Sequence, residues 1–399
     1  MVKDNINKNT VQVALFVALA CVLQISESLI PHPIPGLRLG LANILTLTAL
    51  VTLGFRYALE ITILRTILSS FITGTFMSPG FILSFSGAII STLIMGLLLN
   101  VSSLRIRNGL SIIGISIVGA FSHNMIQLFL AYFILIKHDG IFIFFPWLSA
   151  GAVIMGYMVG IVARGVCRNL EKAEVIDGGE ITPSNTPGQL MTLYVSGNSI
   201  LHRLPAHMKL MAVIVLSLTI LFTEDFRLYL FLFGFLAGAA LLSRTPAEYL
   251  FKGIIRYKFL ILFSFLLPLL FNSGSKVIVT FAHFDITHEG VTAGTLFASR
   301  IVYLILASTL LIRTTSPEEM TKGLAIILSP LKYAGISPQR IALILSQSWA
   351  AIPFLWVTVR EAMFSNDLGK KNKYRDLVPR LSKLIAVLYT EAERGEKLW

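Results

Sequence analysis

Charge is scarce in this chain. Of its 399 residues, 14% are Asp, Glu, Lys or Arg, where a soluble domain carries about 25%. Apolar residues make up 55% and fall in long runs. A soluble globular fold is therefore excluded, and an all-α polytopic protein with the lipid bilayer as its solvent is expected. Acidic residues are scarcer still, 21 against 33 Lys and Arg, which leaves a net charge of +12. That surplus does not mark a nucleic-acid partner. It sits in short hydrophilic gaps between apolar runs, the placement that holds loops on the cytoplasmic side. Cysteine is nearly absent. Cys21 and Cys167 lie inside or beside apolar segments, so they build neither a disulfide framework nor a metal site. Enzymatic signatures are missing too: no G-x-x-x-x-G-K-S/T phosphate loop, D-D-x-x-D cluster, H-E-x-x-H or G-x-S-x-G elbow occurs. These absences favour transport or a structural membrane role. No catalytic residue, metal or cofactor is assigned to this chain.

What is present reads as two blocks of apolar runs. The first run, Val11 to Ile30, follows Lys3 and Lys8 and has about the 20 residues a span needs. It contains Ala18-Leu19-Ala20-Cys21, the spacing of a lipoprotein cleavage box. The run continues past that box, so an uncleaved helix is expected. A Pro/Gly turn over 31–43 follows, then runs at 41–53, 57–73, 81–99, 110–136 and 141–162. Six spans return the chain to its starting side. Lys and Arg gather at the start and after spans two, four and six, which places both termini in the cytoplasm. The block 1–170 is read as one membrane domain and the polar segment 171–199 as a cytoplasmic linker. The block 200–399 carries further runs at 208–222, 228–242, 259–271 and 291–312, with the loop 272–290 on the outer face.

Three features of the first block bear on function. Arg65 stands inside the third span, where a charge costs about 2.5–3.5 kcal/mol on insertion scales. It is either a counter-ion for an anionic substrate or one half of a structural pair with Glu27 or Glu60. Arg38, in the Pro/Gly turn, either draws in an anion or anchors the interface. Asn43, Ser69, Ser70, Ser84, Ser86, His123, Asn124 and Gln127 concentrate polar groups in spans two to five, the makings of a polar cavity. Arg38, Asn43, Arg65, Ser69, Ser84 and Asn124 are the candidate substrate residues. Separately, Ala14 and Ala18 have the small-xxx-small spacing that lets another helix approach closely.

The stretch 313–361 is too polar at its ends for one span and too apolar for a free loop. Ser316 is placed to cap a helix, Pro317 suits its first position, and Glu319 stands where a capping-box carboxylate belongs. Met320, Leu324, Ile327, Leu328 and Leu331 recur at helical spacing and give one apolar face. Ser329-Pro330 ends that helix, and Ser337-Pro338 starts another. Two capped amphipathic helices after a membrane span make a gripping surface.

These residues resemble known families. Residues 11–168, through Pro35-Gly36-Leu37-Arg38-Leu39-Gly40-Leu41-Ala42-Asn43, Gly54-Phe55-Arg56, Arg65 and Ser78-Pro79-Gly80-Phe81, resemble the Gx transporter family, also called heptaprenyl diphosphate synthase component I. That family is similar to the six-helix substrate-binding S components of energy-coupling factor (ECF) transporters. The Ala14/Ala18 pair matches the signature by which S components dock on their membrane partner. From Ser196 onward the chain resembles the T component of those transporters, of the EcfT/CbiQ kind. The match rests on Leu201-His202-Arg203-Leu204 with Lys209, on 313–319, on Ser329-Pro330-Leu331 and Gly335, and on Ile352-Pro353.

The resemblance implies an S–T fusion: a six-helix S-like bundle, then a T-like bundle whose coupling helices begin near 316. It implies a small-molecule substrate, two separate ABC-type ATPase subunits that supply ATP and Mg, and an S half that tilts to present its site inward. T components dock ATPases through two Ala-Arg-Gly motifs. Here Ser365-Asn366-Asp367 follows Arg360 at the first position, and the second resembles Ala392-Glu393-Arg394-Gly395. Arg360 and Arg394 are thus the candidate ATPase contacts. Two other roles stay open: an accessory membrane subunit of polyprenyl diphosphate metabolism, and a membrane subunit that works without ATPases.

Overall fold

The computed structural model of the chain describes residues 2–28, 40–104, 111–136, 138–173, 194–195, 197–272, 276–281, 284–334, 337–364 and 385. The first half holds α1 (Val2–Ser28), α2 (Leu41–Thr52), α3 (Phe55–Thr73), α4 (Pro79–Leu104), α5 (Ile112–Leu130) and α6 (Phe145–Ala173). α5 runs on into a π-helical turn, Ala131–Ile136, and a 3-10 turn, Asp139–Phe144, leads into α6. The second half holds α7 (Ile200–Arg203), α8 (Ala206–Phe222), α9 (Phe226–Ser243), α10 (Ala247–Arg256) and α11 (Lys258–Phe271). A hairpin of β1 (Val277–Phe281) and β2 (Phe284–Thr287) precedes α12 (His288–Thr314), α13 (Pro317–Ile327) and α14 (Pro338–Phe364). The architecture is all-α apart from this hairpin. Among the described residues seven helices are long and apolar enough to cross a membrane, with α2 and α8 as shorter apolar helices.

Burial separates the helices by role. Most of the stretch 9–27 of α1 is buried, against a minority of 139–170. Every residue from Val13 to Leu23 is at most 2% exposed. A helix that is apolar all round belongs inside a bundle, and α1 is packed by α2 and α3 within its own half and by α14 from the other. α6, by contrast, shows Val153, Ile154 and Tyr157 outward, as a lipid-facing helix does. The hydrophobic core is shared between the halves. One cluster joins α1 to α4 and α6 with α8, α12, α13 and α14; a second joins α5 with α8, α9 and α12.

Two helix pairs pack without side chains between their backbones. A Cβ on Gly156 or Gly160 of α6 would meet the Cα atoms of Ile117 and Ile113 on α5 at 2.7 and 2.8 Å. A Cβ on Gly290 or Gly294 of α12 would meet the carbonyls of Pro268 and Phe265 on α11 at 2.8 and 2.6 Å. Both pairs have the G-x-x-x-G spacing by which apolar helices reach backbone contact. The polar segment ends on the second half: the Val195 N–H donates to the Arg313 carbonyl at 3.1 Å, and His202 bridges Ser199 and the Val195 carbonyl.

Candidate functional site

The candidate substrate residues divide into two groups. Arg65, on α3 and 4% exposed, donates from Nε to Thr46 Oγ1 at 3.2 Å, from Nη1 to Gln24 Oε1 at 3.1 Å and from Nη2 to Asn43 Oδ1 at 2.7 Å. The hydroxyls of Thr62 and Thr92 extend this cluster to α4. A guanidinium with its donors spread over α1 and α2 fixes those helices to α3 and holds a positive charge inside the bundle. Of the two carboxylates expected beside it, Glu60 pairs with Arg340 at 3.1 Å. Glu27 accepts the N–H groups of Gly40 and Leu41 at 3.0 Å each, a carboxylate on the positive end of α2. Gly40 has φ +75°, and a Cβ there would lie 3.2 Å from Asn43 Nδ2. Glycine at 40 thus leaves Asn43 room to reach Arg65.

Ser69 and Asn124 donate to backbone carbonyls. The Ser69 hydroxyl donates to the Thr66 carbonyl of its own helix at 3.2 Å. Ser84 is buried on α4. Asn124 donates to the Leu148 carbonyl at 3.0 Å, tying α5 to α6 rather than joining the Arg65 cluster. His123 and Gln127 share a hydrogen bond at 2.9 Å. Arg38 lies outside the described residues.

The seam between the halves passes over Ala14 and Ala18, both 0% exposed. α14 lies against α1 there, and Ser348 Oγ donates to the Ala14 carbonyl at 2.9 Å. At the start of α13, Ser316 Oγ accepts from the Glu319 N–H and Glu319 Oε2 accepts from the Ser316 N–H, each at 3.3 Å, with Pro317 in the first position. Met320 and Leu324 are buried. A Cβ on Gly323 would meet the His207 nitrogen at 2.9 Å, so α13 presses directly on α8. Lys209 Nζ, donating to the Thr314 carbonyl at 2.8 Å, ties α8 to the end of α12.

The apolar face expected through Leu331 is shorter than the spacing predicts. The helix stops at Ile327, and Pro330 and Leu331 fall in a 3-10 turn, Ser329–Ala334, because a proline after Ser329 cannot continue the α-helical bonding. The second helix starts at Pro338, as Ser337-Pro338 predicts. α14 has 27 residues, runs through Pro353, and over 338–357 passes as a membrane span by length and composition. Arg360 lies before the last turn of α14, with a side chain outside the described residues, and Asn366 and Arg394 lie outside the described residues.

Sequence reasoning missed Arg300 on α12, a 0% exposed arginine. Its Nη2 donates to the Thr223 carbonyl at 3.0 Å, its Nε to the Tyr229 hydroxyl at 3.1 Å, and its Nη1 to the Ile134 carbonyl in the π-helical turn of the first half. Thr223 follows α8 and Ile134 stands in the last turn before the chain leaves α5. Arg300 therefore sits where the negative ends of two helices converge. The signal was available: it is a charge inside an apolar run, as Arg65 is. Sequence reasoning also passed over the amphipathic α10, the β1–β2 hairpin in the loop 272–290, and both G-x-x-x-G pairs.

A polytopic α-helical membrane component, with a capped helix pair of which α14 packs on the first helix and α13 on α8, is the class this arrangement defines. Residues 197–397 match the family described as cobalt transport protein, and residues 16–166 match the family described as heptaprenyl diphosphate synthase component I. The energy-coupling factor transporter transmembrane protein EcfT of Brevibacillus brevis is 36% identical over 210 residues, 50% of this chain and 78% of that protein. EcfT of Bacillus subtilis is 31% identical over 208 residues, again 50% and 78%, and EcfT of Listeria innocua is 30% identical over 210 residues, 51% and 79%. The chain belongs, through its second half, to this family of energy-coupling factor transporter transmembrane proteins. The two family matches flank the polar segment, consistent with a fusion of an S-component-like half to a T-component half.

Proposed function

We propose that the chain is the membrane part of an ECF-type importer. Its first half takes up a small anionic micronutrient or precursor, and its second half couples that uptake to ATP hydrolysis by two separate ATPase subunits. ATP and Mg enter through those subunits. Both termini and α13 face the cytoplasm, in keeping with the basic segments at that end of the bundle. The observation that carries the reading is the seam: a helix of the EcfT-like half covers the small residues Ala14 and Ala18, and Ser348 reaches the Ala14 carbonyl. The positive charge of Arg65, held beside Asn43 and Gln24, supports an anionic substrate. Substrate binding by residues 1–170 and coupling by residues 200–399 would follow from this division of labour.

The test is co-purification of the full chain from native membranes. The expected result is two ATPase subunits bound in proportion to the chain, and substrate uptake by reconstituted vesicles that stops when ATP is withdrawn. An isolated chain, with uptake indifferent to nucleotide, defeats the coupled reading. In that case Asn366→Arg tests whether the missing docking arginine is the cause. A second reading is favoured by the description of the family matched by residues 16–166: an accessory membrane subunit of a polyprenyl diphosphate synthase. Prenyl-transfer activity that depends on this chain in a reconstituted system supports it.

A further inference from the structure

Arg340 stands at the unfavourable end of its helix. Pro338 opens α14, and the Arg340 N–H donates to Ser337 Oγ at 3.4 Å, so the guanidinium belongs to the first turn. Helix dipoles favour anions there and disfavour cations. The compensation comes from the other half of the chain. Arg340 Nη2 donates to Glu60 Oε2 on α3 at 3.1 Å. The guanidinium carbon is 5.7 Å from the centroid of the Tyr57 ring, and the Tyr57 hydroxyl accepts from Asn9 of α1 at 3.1 Å. One turn of α14 is thereby tied to both α3 and α1.

The two bonds along this seam differ in what they can discriminate. Ser348 meets a backbone carbonyl, and every turn of α1 offers one. A shift of one turn would find another acceptor. Glu60 is a single carboxylate at a single position, and a like charge set against Arg340 would repel it. The pair is partly exposed, 29% for Arg340 and 18% for Glu60, so solvent screens it and its contribution to overall stability is small. Discrimination, rather than stability, is what such a pair supplies.

We infer that Glu60 and Arg340 set the register of the seam. Arg340 is a positioning residue that fixes which turn of α14 lies over Ala14 and Ala18, and the match between the S-like half and the coupling helix is electrostatic. That α14 transmits coupling rests on the function proposed above; the register does not. The other charge acting on Glu60 is Arg56, exposed on its own helix, which supplies a control.

The experiment uses the full chain in nanodiscs, with spin labels on Val51→Cys and Leu343→Cys. Both positions are exposed, and the native Cys21 and Cys167 are buried. A single narrow distance is expected. Glu60→Arg or Arg340→Glu alone should shift it or at least double its width, the combined exchange should restore it, and Arg56→Gln should leave it unchanged. If a reversal does not fold, Glu60→Gln and Arg340→Gln are read in its place and should widen the distribution. Unchanged distances in the single variants, or an exchange no better than the worse single variant, would overturn the proposal. The measurement needs neither ATPase nor substrate, so its outcome is separate from that of the co-purification.

Discussion

Among the described residues two arginines are buried, and their surroundings differ in kind. Arg65 is held by side chains: Gln24, Asn43 and Thr46. Arg300 is held by two backbone carbonyls at helix ends and one phenol. Side-chain partners can turn away when a ligand arrives, at the expense of a rotamer change. Carbonyls at helix ends cannot move without moving the helices. The first environment suits a site that exchanges partners, and the second suits a joint. Arg300 joins the T-like half to the π-helical turn of the S-like half, so the halves are linked by arginines at two places, one sealed from solvent and one, Arg340, partly open to it.

The contrast can be broken most forcefully at Arg300. Arg300→Met orphans two buried carbonyls at about 1–3 kcal/mol each, so the unfolding temperature of the full chain in detergent should fall further than for a substitution at Gly294, Arg65 or Ser348. Arg300→Lys should recover only part, since one ammonium lacks the fork that reaches three acceptors. A melting curve like that of the native chain would show that the joint is not where the halves are held. Next in size is Gly294→Leu, whose Cβ would meet the Phe265 carbonyl at 2.6 Å. Overpacking of this kind costs about 1–3 kcal/mol, again measured by thermal unfolding.

Arg65→Gln should cost less stability, about 2 kcal/mol for its charged hydrogen bonds, but should abolish retention of a co-purified small molecule as seen by mass spectrometry. Full retention in that variant makes Arg65 a second joint and removes the contrast. The smallest effect is expected of Ser348→Ala. It loses the hydrogen bond to the Ala14 carbonyl and about 1 kcal/mol, with the same label distance across the seam if Glu60 and Arg340 hold the register.

The helices of both halves were legible because apolar runs and Gly/Pro breaks are local signals, although the runs 41–53, 57–73, 208–222 and 259–271, read as spans, do not pass as spans on their own and 338–357, not read as one, does. The capping box at Ser316 and Glu319 was legible for the same reason, since its two hydrogen bonds close within three residues. The Arg65 cluster was half legible. The charge announced a partner, but Gln24 lies 41 residues away and is polar without being conspicuous. Asn124 shows the limit of composition: a polar residue in a span is as well used in joining α5 to α6 as in lining a cavity. The end of α13 was legible at Ser329-Pro330, but the apolar periodicity ran on to Leu331, past the proline that had already broken the backbone pattern. The seam itself could not be read as a contact. The spacing of Ala14 and Ala18 says that some helix can come close, and only the fold says that Ser348 belongs to it.

The burial of α1 has a consequence for how the protein is made. The Ser348–Ala14 bond spans 334 residues. At roughly 5–20 residues per second, α14 emerges from the ribosome on the order of 20–70 s after the helix it covers. Until then α1 lies in the bilayer with its alanine face open. A helix made 334 residues before its cover is therefore enclosed late. A helper that shields small-residue faces during insertion, or another coupling helix already in the membrane, has that interval in which to act.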